Sequence, residues 1–309
     1  MNTSQYYLSC EHLEYNVVFF TDRIRVCCGD EIRRSNSLLP GIAIDDINLD
    51  NLDDLLSEFR QYKEQIVRDI NSNKPIICKG CKYLRKDYWE KSATFKLVNF
   101  STDYPCNLKC SYCFQNSKDY NYKTNYDIYK LISKVLQSKF ISKQTQFIYA
   151  CGELGIHPKA QELIQFFEGN KVSFFTNATK YFESMHQLIC KPQNSMLVSI
   201  DSGTKETYRK IKGADLFETV CENLCCYAKN NGNVILKYIL THGNTSMDDL
   251  NGFIDFCVKA NIHNIRIVYD WNITVANSQM QNSAIYLLHK AKKRKINCYV
   301  DESFTCERM

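Results

Sequence analysis

Cys106, Cys110 and Cys113, within the run Cys106-Asn107-Leu108-Lys109-Cys110-Ser111-Tyr112-Cys113-Phe114, are the residues whose type and spacing most clearly carry chemistry. Cysteine thiolates are the usual protein ligands of iron–sulfur clusters, and this close spacing suits three corners of one four-iron cube. Three thiolates for four irons leave one iron open to a ligand that is not protein. As in zinc sites, an open position marks a reactive centre, whereas a closed one marks a structural centre. A second group lies upstream: Cys10, Cys27 or Cys28, Cys78 and Cys81. The run Cys78-Lys79-Gly80-Cys81 has the two-residue gap that favours a single metal centre. Such a group could close around a second iron–sulfur cluster or form a four-cysteine zinc knuckle. Strand parity puts Cys28 with Ile24 and Val26, toward a small core, and puts Cys27 with Arg23 and Arg25. Cys27 is the expected ligand.

The chain has 16 cysteines in 309 residues, and its start lacks the basic-then-apolar pattern of a secretory signal. No apolar run approaches the roughly 20 residues that a membrane span needs. A cytoplasmic protein without a membrane segment is therefore expected, in a compartment where thiols stay reduced and cysteines point to metal rather than disulfides. With 44% apolar and 24% charged residues, the chain can bury a sizeable core. A net charge of +5 is mild. The basic run His289-Lys290-Ala291-Lys292-Lys293-Arg294-Lys295 ends a helical pattern, where it complements the helix dipole, so nucleic acid is not an expected partner. Cys190, Cys221, Cys225, Cys226, Cys257, Cys298 and Cys306 mostly fall on apolar faces and read as small buried hydrophobes.

From residue 94 onward, short apolar runs alternate with amphipathic stretches. Strands are predicted over 95–100, 146–150, 172–176, 196–200, 234–240 and 265–269, with a closing strand over 297–300. Helices are predicted over 126–140, 158–167, 182–190, 216–229, 247–260 and 279–293. This alternation implies βαβ units and a parallel sheet. The expected fold is α/β: a partial (β/α)6 TIM-like barrel over 94–309 and a small cysteine-rich α+β domain over 1–93. A doubly wound sheet is the alternative. Either way, functional groups belong at the carboxyl ends of the strands, where the cysteine triad follows the first of them. Within 1–93, a β-hairpin is predicted over 15–28, a loop over 38–50 and a helix over 51–70 with Leu52, Leu55, Leu56, Phe59, Tyr62 and Ile66 on one face.

The run from Thr102-Asp103-Tyr104-Pro105 through Phe114 resembles the cluster loop of radical S-adenosylmethionine (SAM) enzymes, and the likeness extends over residues 94–300. The resemblance implies a SAM-binding 4Fe-4S cluster on Cys106, Cys110 and Cys113, with SAM on the open iron. It further implies reductive cleavage of SAM to a 5′-deoxyadenosyl radical that abstracts hydrogen from a substrate. Tyr112 matches an aromatic position near the adenine. Ala150-Cys151-Gly152-Glu153 resembles the family's Gly-Gly-Glu motif, which implies that Gly152 and Glu153 approach the methionine end of SAM. Cys151 stands there for the first glycine, and Leu154 for the usual proline. Asn177, and Ser199 and Asp201 within Ser199-Ile200-Asp201-Ser202-Gly203, match polar positions around SAM. The run Thr207 to Gly213 continues the likeness into the following helix. Lys237 matches a basic position that can neutralise the SAM carboxylate. Asp270 and Trp271 could face SAM or substrate, or simply cap a loop.

The upstream cysteines resemble half of a SPASM/Twitch auxiliary domain, with a cysteine, a hairpin ending in Cys-Cys, a helix and then Cys-x-x-Cys. In those families the domain usually follows the barrel, whereas here it would precede it. The resemblance implies a second 4Fe-4S cluster on Cys10, Cys27, Cys78 and Cys81 that relays electrons, and an external flavodoxin- or ferredoxin-like donor. The expected function is oxidation or cross-linking of a peptide or protein side chain. The alternatives are dehydrogenation or epimerisation of a sugar or another small metabolite, or a zinc or iron–sulfur binding module without catalysis. Tyr149, His157 and Asp270 are strand-tip candidates for proton transfer, and none has a partner visible in the sequence.

Overall fold

The computed structural model describes residues 5–27, 41–76, 78–101, 105–113, 124–270, 272–273 and 275–300. Cys28, Thr102, Asp103, Tyr104, Phe114, Trp271 and Cys306 lie outside the described residues. The chain forms two compact units, one of residues 1–104, 122–152 and 162–172 and the other of 105–121, 153–161 and 173–309.

The first unit begins with β1 (Gln5–Ser9), α1 (Glu11–Tyr15), β2 (Asn16–Phe19), β3 (Arg23–Arg25) and β4 (Gly41–Ala43). It continues with α2 (Leu52–Asn71), β5 (Arg85–Trp89), β6 (Leu97–Phe100), α3 (Ile128–Gln137) and β7 (Gln146–Tyr149). Strands β2, β6 and β7 are parallel neighbours, with Asn16 opposite Leu97 and Leu97 opposite Gln146. The expected hairpin is present as antiparallel β2 and β3, and β4 extends it. All four residues of β2 are buried. Helix α2 turns Leu52, Leu55, Leu56, Phe59 and Ile66 inward, the face its periodicity marks, together with Lys63. The Lys63 ammonium is buried over the Phe59 and Phe95 rings and donates to the Asn16 carbonyl at 2.8 Å. Burial pulls its pKa down to about 7.

Strands β1 and β5 pair antiparallel from Gln5 opposite Trp89 to Ser9 opposite Arg85. Neither β1, β4 nor β5 was expected. Strand β5 reads Arg-Lys-Asp-Tyr-Trp, with only Trp89 buried, so it lacks the alternation that announces a half-buried strand.

Along the chain follow α4 (Ala160–Gln165) and β8 (Lys171–Thr176). The second unit then contains α5 (Glu183–Ile189), β9 (Ser195–Ser199), α6 (Lys205–Lys212), α7 (Phe217–Tyr227) and β10 (Val234–Leu240). It ends with α8 (Met247–Lys259), β11 (Asn264–Tyr269), α9 (Ser278–Lys293) and β12 (Asn297–Val300). Its strands run parallel in the order β8, β9, β10, β11, β12. Strand alternates with helix throughout, which is the α/β class expected. In β10, Val234, Leu236, Tyr238 and Leu240 are buried, and the Tyr238 ring packs on Phe253 of α8 at 4.8 Å. The alternate residues Ile235, Lys237 and Ile239 therefore point to the opposite face of the sheet. Among the described residues, no helix is long and apolar enough to cross a membrane.

Helix α6 is short and polar, and the periodicity did not mark it as an element. Tertiary contacts hold it instead. Thr204 caps its first turn. Asp249 of α8, 2% exposed, accepts from the Gly203 and Thr204 backbone N–H groups and from the Thr204 and Thr207 hydroxyls. Gly203 lies directly against α8, where a Cβ would come within 2.1 Å of the Asp249 carbonyl oxygen. Asp249→Ala would leave several buried donors without acceptors. It is expected to lower unfolding free energy by about 3 kcal/mol, measurable by urea titration.

Candidate functional site

The second unit brings most of the residues singled out by sequence together at the carboxyl ends of its strands. Cys106, Cys110 and Cys113 are all half-buried in the loop 105–113, and none is in a disulfide. The Cys106 sulfur accepts from the Leu108 N–H at 3.4 Å and from the Asn177 amide at 3.6 Å. Burial pushes its thiol up to about 11, the Glu153 carboxylate adds to the rise, and these two donors oppose it. N–H donors aimed at a sulfur stabilise the thiolate, and they tune a cluster bound through it. Among the described residues, no group of three or more His, Cys, Asp or Glu side chains is gathered tightly enough for a single metal ion. A four-iron cube does not need such convergence, because each cysteine takes a different iron. The donor set of three accessible thiols with N–H groups at Cys106 fits a cube with one open corner.

Asn177 and Glu153 are joints between this loop and the end of β8. Asn177 also donates to the Asn107 side chain at 2.8 Å, while its own oxygen accepts from the Thr179 N–H and hydroxyl. Glu153 is buried and accepts from the Gly155 N–H at 2.7 Å, the Thr176 hydroxyl at 2.7 Å and the Asn177 N–H at 2.6 Å. Burial raises its pKa against these three donors. Its backbone N–H donates to the Pro105 carbonyl at 3.2 Å, tying the Gly-Glu turn to the loop. Gly152 has φ +39°, a conformation that glycine adopts without a Cβ penalty. Cys151, standing where the motif has glycine, is fully buried and its thiol donates to the Phe100 carbonyl at 3.3 Å. The extra side chain is thus absorbed into the core, and Leu154 is buried as well.

Tyr112 and Asp201 meet in a network that the sequence did not reveal. The Tyr112 hydroxyl donates to Asp201, and Lys212 at the end of α6 donates to both, at 2.6 Å to the phenol oxygen. Lys212 and Asp201 are a fully buried ion pair, 2% and 0% exposed. Burial and the Asp201 carboxylate hold the Tyr112 pKa well above its ordinary value, so the phenol stays a donor. The second Asp201 oxygen accepts from the Ile239 N–H at 2.7 Å, and its backbone carbonyl from the Asn244 amide at 2.8 Å. Asp201 has φ +56°, which Asp and Asn tolerate better than most residues. Its carboxylate is therefore committed inside the protein.

Ser199 and Lys237 are direct cross-strand neighbours on the face opposite α8, and Arg266 stands next to Lys237 in the same row. Lys237 lies on β10, which has a strand on either side, so it is not an edge residue. Arg266 is exposed and went unnoticed because its place beside Lys237 depends on register rather than on local sequence. Asp270 accepts from the Asn272 N–H at 2.9 Å and caps its own loop, while the Asn272 amide reaches the Tyr112 carbonyl at 3.0 Å. The other strand-tip candidates also serve local structure. Tyr149 is 1% exposed and packs edge-on against Phe167, and His157 accepts from the Lys159 N–H.

The upstream cysteines belong to the first unit. Cys10 is buried and precedes α1, and burial raises its thiol above the ordinary value. Cys81 donates its N–H to the Cys78 carbonyl at 3.1 Å, closing a turn in which Gly80 has φ +79°. Burial pushes the Cys78 thiol up to about 11, and the neighbouring Cys10 and Cys81 add to the rise. The β1–β5 ladder accounts for this meeting, because Cys10 follows β1 and Cys81 precedes β5. Cys27 is half-buried, two residues past β3. A cavity of about 580 Å³ also lies in this unit, lined by Tyr7, Glu14, Arg60, Lys63, Glu64 and Arg68 among others, and it contains none of the expected site residues.

Comparison with known proteins agrees with this fold. Residues 104–257 match the family model of the Radical SAM superfamily. No curated protein sequence matches the chain. Among solved structures, Streptococcus suis SuiB is similar with a TM-score of 0.51 and 14% identity, over 88% of this chain and 58% of that one. SuiB bound to its precursor peptide SuiA gives 0.52 and 12%, over 97% and 73%. The protein anSMEcpe with bound AdoMet and the Kp18Cys peptide gives 0.50 and 17%, over 65% and 62%. At such identities the likeness is one of fold, and the chain spans 58% of the length of the first of these structures. The cysteine triad, its place after a strand and the match over 104–257 lead to one conclusion: the chain belongs to the radical SAM superfamily.

Proposed function

We propose that Cys106, Cys110 and Cys113 hold a 4Fe-4S cluster whose open iron takes SAM, and that the reaction modifies a peptide or protein side chain. The hydrogen bonds that Leu108 and Asn177 give to Cys106 carry this reading, since they suit a thiolate ligand rather than a buried thiol. When bound, the cluster and SAM supply the one-electron chemistry, generating a 5′-deoxyadenosyl radical that removes a hydrogen atom from the substrate. The protein's part is to orient and to exclude water. Asn177 and Glu153 fix the loop against the end of β8. Lys237, with Ser199 beside it, offers a cation for the SAM carboxylate. Tyr112 supplies a half-buried ring beside Cys113 for the adenine.

Region 1–93 is proposed to hold a second 4Fe-4S cluster on Cys10, Cys27, Cys78 and Cys81, which would take up the electron that the substrate radical loses after hydrogen abstraction. The β1–β5 pairing, which brings Cys10 near Cys78 and Cys81, supports this. SuiB and anSMEcpe were each solved with a peptide bound, which favours a peptide substrate over a sugar. A flavodoxin- or ferredoxin-like protein would supply the reducing electron in the cytoplasm. The test is paramagnetic resonance of the reduced, reconstituted protein with isotopically labelled SAM. Coupling from its amino nitrogen is expected, and its absence would refute the open-iron assignment.

A further inference from the structure

The segment Lys109 to Cys113, which carries two of the three cysteines, is fastened to the last turn of α6 at every level. The Lys109 N–H donates to the Lys212 carbonyl at 2.9 Å and the Ser111 N–H to the Ile211 carbonyl at 2.8 Å. Gly213 has φ +67°, and a Cβ there would approach the Lys109 backbone oxygen to 3.0 Å, so the helix ends directly against the loop. Above these backbone bonds sits the Tyr112–Lys212–Asp201 triangle. Asp201 is in turn anchored to the end of β10 through Ile239 and to the loop after it through Asn244. The far end of α6 is clamped by Asp249.

From this arrangement we infer that the buried Lys212–Asp201 pair is a strut that positions the cysteine loop through the Tyr112 hydroxyl. Lys212 and Asp201 are positioning residues that need not touch SAM. Lys212 projects from α6 onto the residue next to Cys113 while its own carbonyl holds Lys109, next to Cys110. It therefore fixes Cys110 and Cys113 relative to one another. That relation decides which corner of a bound cube lies open and in which direction. Asn177 and Glu153 hold the Pro105–Asn107 side of the loop and Asn272 holds the Tyr112 carbonyl, and the strut adds a buried side-chain tie at the Cys110–Cys113 end. Asp201 is assigned here to holding the loop, rather than to the surroundings of SAM that its motif implies.

The role toward SAM rests on the proposed function, but the strut itself is testable without metal. In the metal-free protein, Lys212→Met and Tyr112→Phe are expected to speed amide exchange at Lys109 and Ser111 by about tenfold or more, reporting local opening. Lys210→Met removes only an exposed pair with Glu206 and should leave that exchange unchanged. In the reconstituted protein, both strut variants should keep the wild-type iron content yet raise KM for SAM about tenfold, with a smaller change in kcat. The Lys212→Met/Tyr112→Phe double variant should be no worse than the poorer single one, as expected of residues that act as one unit. If Lys212→Met does not fold, Tyr112→Phe with Asp201→Asn carries the same comparison, and Asn suits the positive φ at 201. Unchanged exchange at Lys109 and Ser111 in folded strut variants would overturn the inference. A wild-type protein that takes up no cluster would instead defeat the proposed function, and the exchange result would still decide the strut.

Discussion

Changing Cys106, Cys110 and Cys113 together to alanine is expected to abolish 5′-deoxyadenosine formation and to remove about four irons per chain, the content of one cube. The loss is expected to be complete because side chains cannot supply one-electron chemistry, and without the cluster there is nothing to reduce SAM. The variant should otherwise fold. The three cysteines are half-buried in a loop, so their replacement leaves no large core cavity. The backbone bonds from Lys109 and Ser111 to α6 also persist. Circular dichroism and the thermal midpoint should therefore stay near wild type while product falls to the level of a protein-free control. A triple variant that still cleaves SAM would show that the radical centre lies elsewhere.

The second large effect concerns Cys78 and Cys81. Their double replacement by alanine should remove about four further irons while sparing SAM cleavage in the absence of substrate. Peptide-dependent turnover should collapse, because the side-chain radical left by hydrogen abstraction then has no acceptor for the electron it must lose. The structure makes this pair a sharp choice. Cys78 and Cys81 close one turn, and together with Cys10 they are mutual neighbours. The metal question is settled by the same sample. A zinc knuckle would lose zinc and leave the iron content untouched, whereas an auxiliary cluster loses iron and sulfide in equal amounts. Full retention of turnover in the double variant would remove the electron-relay role.

Much of this was legible in the sequence because it is local. The triad is a matter of spacing, and the strands of the second unit announce themselves as short runs of Val, Ile, Phe and Tyr between amphipathic helices. Gly152 was singled out only through its likeness to the Gly-Gly-Glu motif, and its positive φ is visible in the structure alone. What remained hidden depends on residues far apart in the chain. Lys212 reads as an ordinary lysine at the end of a polar stretch, and only the fold brings it to Tyr112, a hundred residues earlier. Arg266 joins Lys237 through strand register alone. Strand β5 is a polar segment held by ladder pairing and lacks the alternation that would mark it, whereas α6, which turns Tyr208 and Ile211 inward, is too short and polar to stand out. Glu153 illustrates a further limit. Its motif implies an acceptor for SAM, whereas its position adds a joint that ties together Gly155, Thr176 and Asn177.

The measurement closest to the central claim is electron–nuclear double resonance on the reduced protein, with SAM labelled at its amino nitrogen and carboxylate oxygens. Direct ligation of the open iron predicts hyperfine coupling to both labels, lost in the triple cysteine variant. A cluster signal unchanged by SAM, or zinc in place of iron at Cys106, Cys110 and Cys113, would contradict it.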